Sequence, residues 1–321
     1  MLAAIFDLQN FLQTFWPNTI DGVRLGAIYA LVALGYTLVY GVLRLINFAN
    51  SEVFMLGTFG SVIALSLVGL GINDSPFGGL GAIGTLLFAF ILSCAISTTV
   101  AVLLEFLAYR PLRKRGAPRL VFLISAIGAS LALSAAVERL GPKKSDSYST
   151  GTPWGLIDKA IVGNIRYSHV VVVGGALLMM LVLSTLVAKT RLGRGMRAVA
   201  QDSETARIMG VNTDQIIVIT FALGGIMAGA AAFLYMVFYK QTDYSVGTLL
   251  GVKSFTAAVL GGIGNIKGAL LGGILLGVLE SWGAGGFGGK WKDVVAFVVL
   301  VGVLMFRPTG LLGESLGRAR V

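Results

Sequence analysis

The sequence predicts an all-α, polytopic transmembrane helix bundle of about eight spans, with room for a re-entrant pair of half-helices. Three observations predict it. Of 321 residues, 56% are hydrophobic and 12% charged, which is about half the charged share of a soluble globular chain. The apolar residues gather in runs that match the about 20 helical residues needed to cross a ~30 Å hydrocarbon core. The basic residues gather in short segments between those runs, and the 44 glycines lie largely within them, where they permit close helix approach or broken helices.

The first 18 residues read as an interfacial segment. Ile5, Leu8, Leu12 and Phe15 recur at helical spacing, which suits a short helix lying in the membrane surface. The stretch has no basic n-region and no clear small-residue cleavage site, so it does not read as a signal peptide. Residues 19–306 form the transmembrane domain. Its expected spans are Thr19–Val42, Ile46–Gly69, Gly81–Ala108, Leu120–Leu140, Ser168–Ala188, Thr213–Phe238, a glycine-broken region Gly247–Gly283, and Val294–Phe306. The prolines at 17, 76, 111, 118, 142, 153 and 308 all fall outside the unbroken spans, as interior proline disrupts a helix. Residues 307–321 form a basic tail.

Within Gly247–Gly283, "LLGVKSFTAAVLGG" and "GALLGGILLGVLESW" are each short for a crossing. Two thin spans and a re-entrant pair both fit. Gly264/Gly268, Gly268/Gly272 and Gly273/Gly277 have small-xxx-small spacing, which favours tight helix packing; pore lining is the other role open to them.

Charge sets the orientation. "YRPLRKRGAPR" carries Arg110, Arg113, Lys114, Arg115 and Arg119 with no acid. "KTRLGRGMRAVAQDSETAR" carries Lys189, Arg191, Arg194, Arg197 and Arg207 against two acids, and the tail adds Arg307, Arg318 and Arg320. Placing all three in the cytoplasm satisfies the positive-inside rule, with the N-terminus outside and the C-terminus inside. The longer, mixed-sign segment Gly141–Tyr167 is kept external. The same distribution explains the net charge of +10 without a nucleic-acid partner.

Several chemistries find no residues. The chain has no G-x-x-x-x-G-K-[ST] phosphate loop and no G-x-S-x-G, so no catalytic residue and no ATP site of its own are expected. His169 and Cys94 are the only residues of their kinds, which argues against a metal site of the usual ligands. Cys94 alone forms no disulfide within the chain, and His169, at a span edge, reads as interfacial.

Polar groups at membrane depth demand a reason, since a charge at a helix centre costs ~2.5–3.5 kcal/mol even on the mild insertion scale. The densest cluster is "INFANSEVFMLG", with Asn47, Asn50, Ser51 and Glu52. A helix beginning at Asn47 puts Asn47 and Ser51 on one face and Glu52 in the early turns, where the helix dipole favours it. Helix capping and lining of a translocation path both fit the cluster. Lys253, Glu105, Glu138 and Glu280 lie near span ends and are expected to snorkel toward water.

Between two apolar runs stands "RAVAQDSETARIMGVNTDQ". Arg197 to Met209 reads as one short helix, with Glu204 and Arg207 three apart for pairing. Gly210 ends it, and Asn212 or Thr213 caps the next helix. A polar helix fixed directly to a span suits a lever for a soluble partner.

"ETARIMG", Glu204 to Gly210, resembles the E-A-A-x-x-x-G loop of ABC importer membrane subunits, with Thr205 for the first alanine. "GAIYALVALGYTLVYGVLRLINFANSEVFMLG", "GVKSFTAAVLGGIGNIKGALLGGILLGVLES" and "RPTGLLG" widen the likeness. Together these stretches resemble the branched-chain amino-acid permease family, LivH-type subunit, from about residue 20 to 313. Asn50 and Ser51 stand where that family usually has histidine and glycine. The resemblance implies a non-catalytic subunit of a bacterial inner-membrane importer working by ATP-driven alternating access. It also implies a homologous second permease subunit, two cytoplasmic ATPases that hold ATP and magnesium, and an external solute-binding protein. Arg197, Asp202, Glu204, Ala206 and Gly210 then couple to the ATPases, and Asn47, Asn50, Ser51 and Glu52 line the pathway. Related permeases also resemble importers of urea or short-chain amides. A proton-coupled secondary transporter using Glu52, Glu105 or Glu138 is the rival.

Overall fold

A computed structural model of the chain describes residues 7–68, 80–140, 148–149, 160–162, 165–307 and 309–313. The first helix, α1 (Leu8–Leu43), is 36 residues long, and the Asp7 side chain caps it by accepting the Asn10 N–H. Pro17 lies inside it, so the helix runs unbroken from Leu8 into the first span. At ~1.5 Å per residue α1 reaches about 54 Å, well past a ~30 Å hydrocarbon core. It ends at Arg44 in the left-handed conformation, φ 52°.

The next helix, α2, runs Asn50–Leu67, four residues later than the expected Ile46. Then come α3 (Leu80–Leu104), a five-residue π-helical turn Glu105–Tyr109, and α4 (Arg110–Lys114). Together these make one helical run, Gly81–Lys114. Pro111 sits in the first turn of α4, where its missing N–H is tolerated.

The remaining helices are α5 (Arg119–Leu140), α6 (Tyr167–Lys189), α7 (Arg191–Gln201), α8 (Ser203–Ile208), α9 (Thr213–Tyr239), α10 (Val246–Gly261), α11 (Ile266–Phe287) and α12 (Lys292–Phe306). Two short antiparallel ribbons accompany them. β1 (Tyr148–Ser149) pairs with β4 (Gln241–Thr242), and β2 (Ala160–Val162) with β3 (Ile165–Arg166). β4 follows the end of α9, about 40 Å along that helix from its Thr213 end at ~1.5 Å per residue. β1 therefore lies at the end of α9 away from α7 and α8.

Among the described residues, seven helices are long and apolar enough to cross a membrane. α11, with 22 residues, is one of them, which corrects the expectation that its half of Gly247–Gly283 is short. α10 has 16 residues and α12 has 15, both less than a full crossing. The α10–α11 turn is made by Gly262 and Gly264, at φ 104° and 97°, so Gly264 serves the turn rather than a packing seam.

The core lies along α1, whose residues from Leu25 to Val39 are nearly all buried. α11 packs most extensively on it through glycine. A Cβ at Gly277 would meet Gly26 N at 2.4 Å and Gly22 O at 2.5 Å; one at Gly273 would meet Ala30 Cα at 2.6 Å. A second seam faces α10, where a Cβ at Gly268 would lie 2.4 Å from Gly261 O and one at Gly272 2.2 Å from Ala257 O. The predicted spacings Gly268/Gly272 and Gly273/Gly277 thus serve two different neighbours. α2, α3 and α9 complete the inner layer. Ser93 Oγ lies 2.8 Å from both Gly57 O and Gly229 O, and Ser97 Oγ donates to Val53 O at 3.0 Å. By contrast α5 keeps only 11% of its apolar window buried, against 89% for α1.

Candidate functional site: a buried acidic seam and a polar helical corner

The polar cluster ahead of α2 divides in two. Because α2 starts at Asn50, Asn47 stands outside the helix and shares no face with Ser51. It is buried and accepts the Tyr109 hydroxyl at 2.8 Å, which ties the chain to the π turn. Asn50, Ser51 and Glu52 occupy the first turn of α2 and are all buried. Asn50 Nδ2 points at Val32 O of α1, 3.5 Å away, beside Gly35, where a Cβ would come within 2.9 Å of it. Ser51 Oγ donates to Phe48 O at 2.6 Å and packs on Gly251.

Glu52 is 0% exposed. Its Oε1 receives Ser130 Oγ of α5 at 3.2 Å and Thr248 Oγ1 of α10 at 3.4 Å. Its Oε2 has no hydrogen-bond partner and lies against Gly247. Val32 is central in the buried part of α1 and Ser130 is midway along α5, so this carboxylate sits deep in the bundle.

Two acids expected to snorkel are instead buried and paired. Glu105 is 0% exposed and 3.0 Å from Arg113, because the π turn carries it inward while Arg113 reaches back eight residues. Arg113 also holds Asp214 at 2.7 Å. Glu280, 2% exposed, bonds Lys253 Nζ at 2.8 Å and receives the Tyr29 hydroxyl at 2.9 Å. Lys253 reaches Asp293 at 2.6 Å, so it too is engaged rather than extended to water. Glu138 is exposed. His169 is largely buried; its Nδ1 accepts Arg166 N–H at 3.1 Å and its Nε2 lies 3.3 Å from Asp21.

The polar segment is two helices rather than one. Asp202 breaks it with an extended backbone, φ −154° and ψ 113°, closing α7 and capping α8. Its Oδ2 accepts the Thr205 hydroxyl at 2.6 Å and its Oδ1 the Glu204 N–H at 2.9 Å. Those donors, the Thr205 hydroxyl first, hold the Asp202 carboxyl below the usual carboxylate range. Arg197 Nη1 donates to Val187 O at the end of α6. Ala206 is buried and its carbonyl accepts Val211 N–H at 3.0 Å. Gly210 adopts φ 84°, as its place after the helix predicts, and Asn212 caps α9 through Gln215 N. Glu204 is exposed and forms no ion pair with Arg207 among the described contacts. Ile208 and Met209 went unremarked in the sequence, yet they are 84% and 79% exposed. An apolar pair ahead of a turn glycine, inside a polar stretch, was the available signal.

Two of the basic segments, 109–119 and 189–207, meet on one face. A cleft of about 430 Å³ is lined by Arg44, Tyr109, Arg113 and Arg119 together with Val199 and Asp202. The residues Leu311 and Leu312, just after α12, bond Leu260 O and Gly261 O next to the same end of the bundle.

A family model described as the branched-chain amino acid transport system / permease component matches residues 18–304. The chain is 41% identical over 312 residues to the high-affinity branched-chain amino acid transport system permease protein BraD of Pseudomonas aeruginosa, covering 96% of this chain and 97% of that protein. It is 38% identical over 316 residues to the LivH permease protein of Escherichia coli, covering 95% and 97%. A solved structure described as an inward-facing ABC transporter of metal-chelate type superposes with TM-score 0.50 at 14% identity, over 96% of this chain and 91% of its own, a likeness of fold alone. This helix bundle, with two basic segments on one face and matched along nearly its whole length, belongs to the family of branched-chain amino acid transport permease components.

Proposed function

We propose that this chain is a membrane-spanning subunit of an ATP-driven importer that carries branched-chain amino acids into the cell. The observation that carries the reading is the α7–Asp202–α8 device on the basic face, with Ile208 and Met209 presented to solvent at its tip. Large apolar side chains at a rigid, capped corner suit insertion into a groove of a separate protein. That partner is a pair of cytoplasmic ATPases, which hold ATP and magnesium. The other partners are a homologous second permease subunit and an external solute-binding protein. The basic face is cytoplasmic by the positive-inside rule, so the N-terminus is outside and the C-terminus inside.

In this scheme Arg197 fixes α7 to α6, Asp202 sets the corner, and Ala206 anchors α8 to the bundle. Glu204 faces the ATPase, and Gly210 lets the chain turn into α9, so a push on the tip moves a span. Asn50, Ser51 and Glu52 border the pathway, while Asn47 braces the loop before α2 through Tyr109. A proton relay through Glu105 finds little support, since Arg113 neutralises it.

The test is reconstitution of the complete importer in proteoliposomes. Leucine, isoleucine and valine uptake is expected to require ATP inside and binding protein outside. Ile208→Ser with Met209→Ser is expected to cut binding-protein-stimulated ATP hydrolysis by about tenfold or more, a loss of one to two apolar anchors. Uptake driven by a proton gradient without ATPases, or undiminished hydrolysis in the double variant, overturns the scheme.

A further inference from the structure

Among the described residues three acids are buried in the bundle: Glu52, Glu105 and Glu280. Glu105 has Arg113 and Glu280 has Lys253. Among the described residues no ion pair reaches Glu52; its neighbours are the hydroxyls of Ser130 and Thr248 and the backbone of Gly247. Hydroxyls donate hydrogen bonds but do not neutralise a carboxylate. Both bonds are long, and Oε2 has no partner. A buried acceptor of this kind is costly to leave unmatched.

Its position is as informative as its isolation. Glu52 lies where α2, α5 and α10 meet, and α5 is among the least buried helices. Gly247 and Gly251 lay the α10 backbone directly against Glu52 and Ser51, with the Thr248 hydroxyl beside them. One wall of the seam is therefore thinly attached, and another is glycine backbone carrying a single hydroxyl. Displacement of α5 would remove Ser130 and uncover the carboxylate to whatever enters.

We propose that Glu52 is the acceptor for nitrogen-bound protons of the travelling solute, which in an amino acid are those of the α-ammonium group. The inference rests on the import of amino acids proposed above. Ser130 and Thr248 hold the carboxylate oriented while the seam is closed, and the solute's N–H donors take the place of the Ser130 hydroxyl when it opens. The missing counter-charge then arrives with each molecule carried. The apolar side chain contributes nothing to this recognition, so Glu52 selects for the nitrogen end alone.

The test uses the complete importer in proteoliposomes and reads leucine moved per ATP hydrolysed. Glu52→Gln is expected to lower that ratio by about tenfold or more, the scale of one charge-assisted hydrogen bond. Glu52→Asp is expected to restore part of it. A second measurement uses saturation-transfer NMR on the purified permease–ATPase complex without binding protein, with leucine and with 4-methylpentanoate, which has the same carbon skeleton and no nitrogen. The unsubstituted complex is expected to favour leucine, and Glu52→Gln to abolish the preference. An unchanged ratio in Glu52→Gln, or equal signals from both compounds in the unsubstituted complex, overturns the inference. If the unsubstituted importer carries no leucine at all, the proposed function fails instead.

Discussion

Arg113 Nη2 lies 3.0 Å from Glu105 Oε1, and that glutamate has no exposure to solvent. The same guanidinium holds Asp214 in the first turn of α9. One arginine therefore joins the π turn below α3 to the base of the helix that follows the lever. Removing it strands a buried charge, a loss of about 3–5 kcal/mol in comparable buried pairs. Arg113→Ala is expected to lower the thermal unfolding midpoint in detergent markedly, and Arg113→Ala with Glu105→Gln to recover much of it. Equal midpoints for the two variants would show that the stranded Glu105 charge is not the source of the loss.

The glycine seam between α1 and α11 allows a sharp comparison. Gly277→Ala places a Cβ against the α1 backbone at 2.4 and 2.5 Å, where neither partner has a flexible end to move. Overpacking of this kind costs about 1–3 kcal/mol or more. Gly302→Ala, on α12 with nothing within 4 Å, is expected to be neutral or to gain up to about 1 kcal/mol from helix propensity. Thermal aggregation of the two variants in detergent measures the contrast.

Asp202 gives the α7–α8 corner a pH dependence of known sign. Its carboxyl is held below the usual range by the Thr205 hydroxyl and the N–H groups of Glu204 and Thr205. A group whose folded pKa is depressed contributes its stability above the unfolded pKa, about 3.9 for aspartate. That contribution is lost as pH falls through the lower folded value. Amide exchange at Glu204 and Thr205, expressed as protection relative to free peptide, is expected to hold at neutral pH and to fall only below about pH 4. Asp202→Ala is expected to show the low protection at every pH.

Gly210 is the fourth test. Its φ of 84° is left-handed, and no atom lies within 4 Å of a Cβ there. The penalty for a side chain is therefore conformational, about 1–2 kcal/mol. Gly210→Asn is expected to be tolerated better than Gly210→Val, because asparagine visits this region more readily. The ranking is read from binding-protein-stimulated ATP hydrolysis in the reconstituted importer, and a reversed order would point to a steric role instead.

Helix positions were legible where an apolar run met a cap. α6 was expected at Ser168–Ala188 and spans Tyr167–Lys189, and α9 was expected at Thr213–Phe238 and spans Thr213–Tyr239. The turn glycine at 210 and the glycine spacings of α11 were legible for the same reason, since each reflects a local steric need. Burial was not. Apolar residues serve equally against lipid and protein, so nothing in their pattern set deeply buried α1 apart from peripheral α5. Glu105 and Glu280 looked like span-end charges because their partners are distant in sequence or lie across a π turn. The corner at Asp202 was hidden in good helix formers, where a side chain that binds its own neighbouring backbone competes with the helix. In the candidate pathway, Asn50, Ser51 and Glu52 stayed together while Asn47 left the group, because the turn at Phe48–Ala49 delays α2.

The double glycine seam of α11 also limits how the molecule deforms. With backbone laid on backbone along both α1 and α10, prying these three rods apart would open voids that no rotamer change can refill. They form a stator. Any stroke that lets cargo through falls to the helices outside this block, α9 and α5 among them, which slide against it as a shutter slides in its frame.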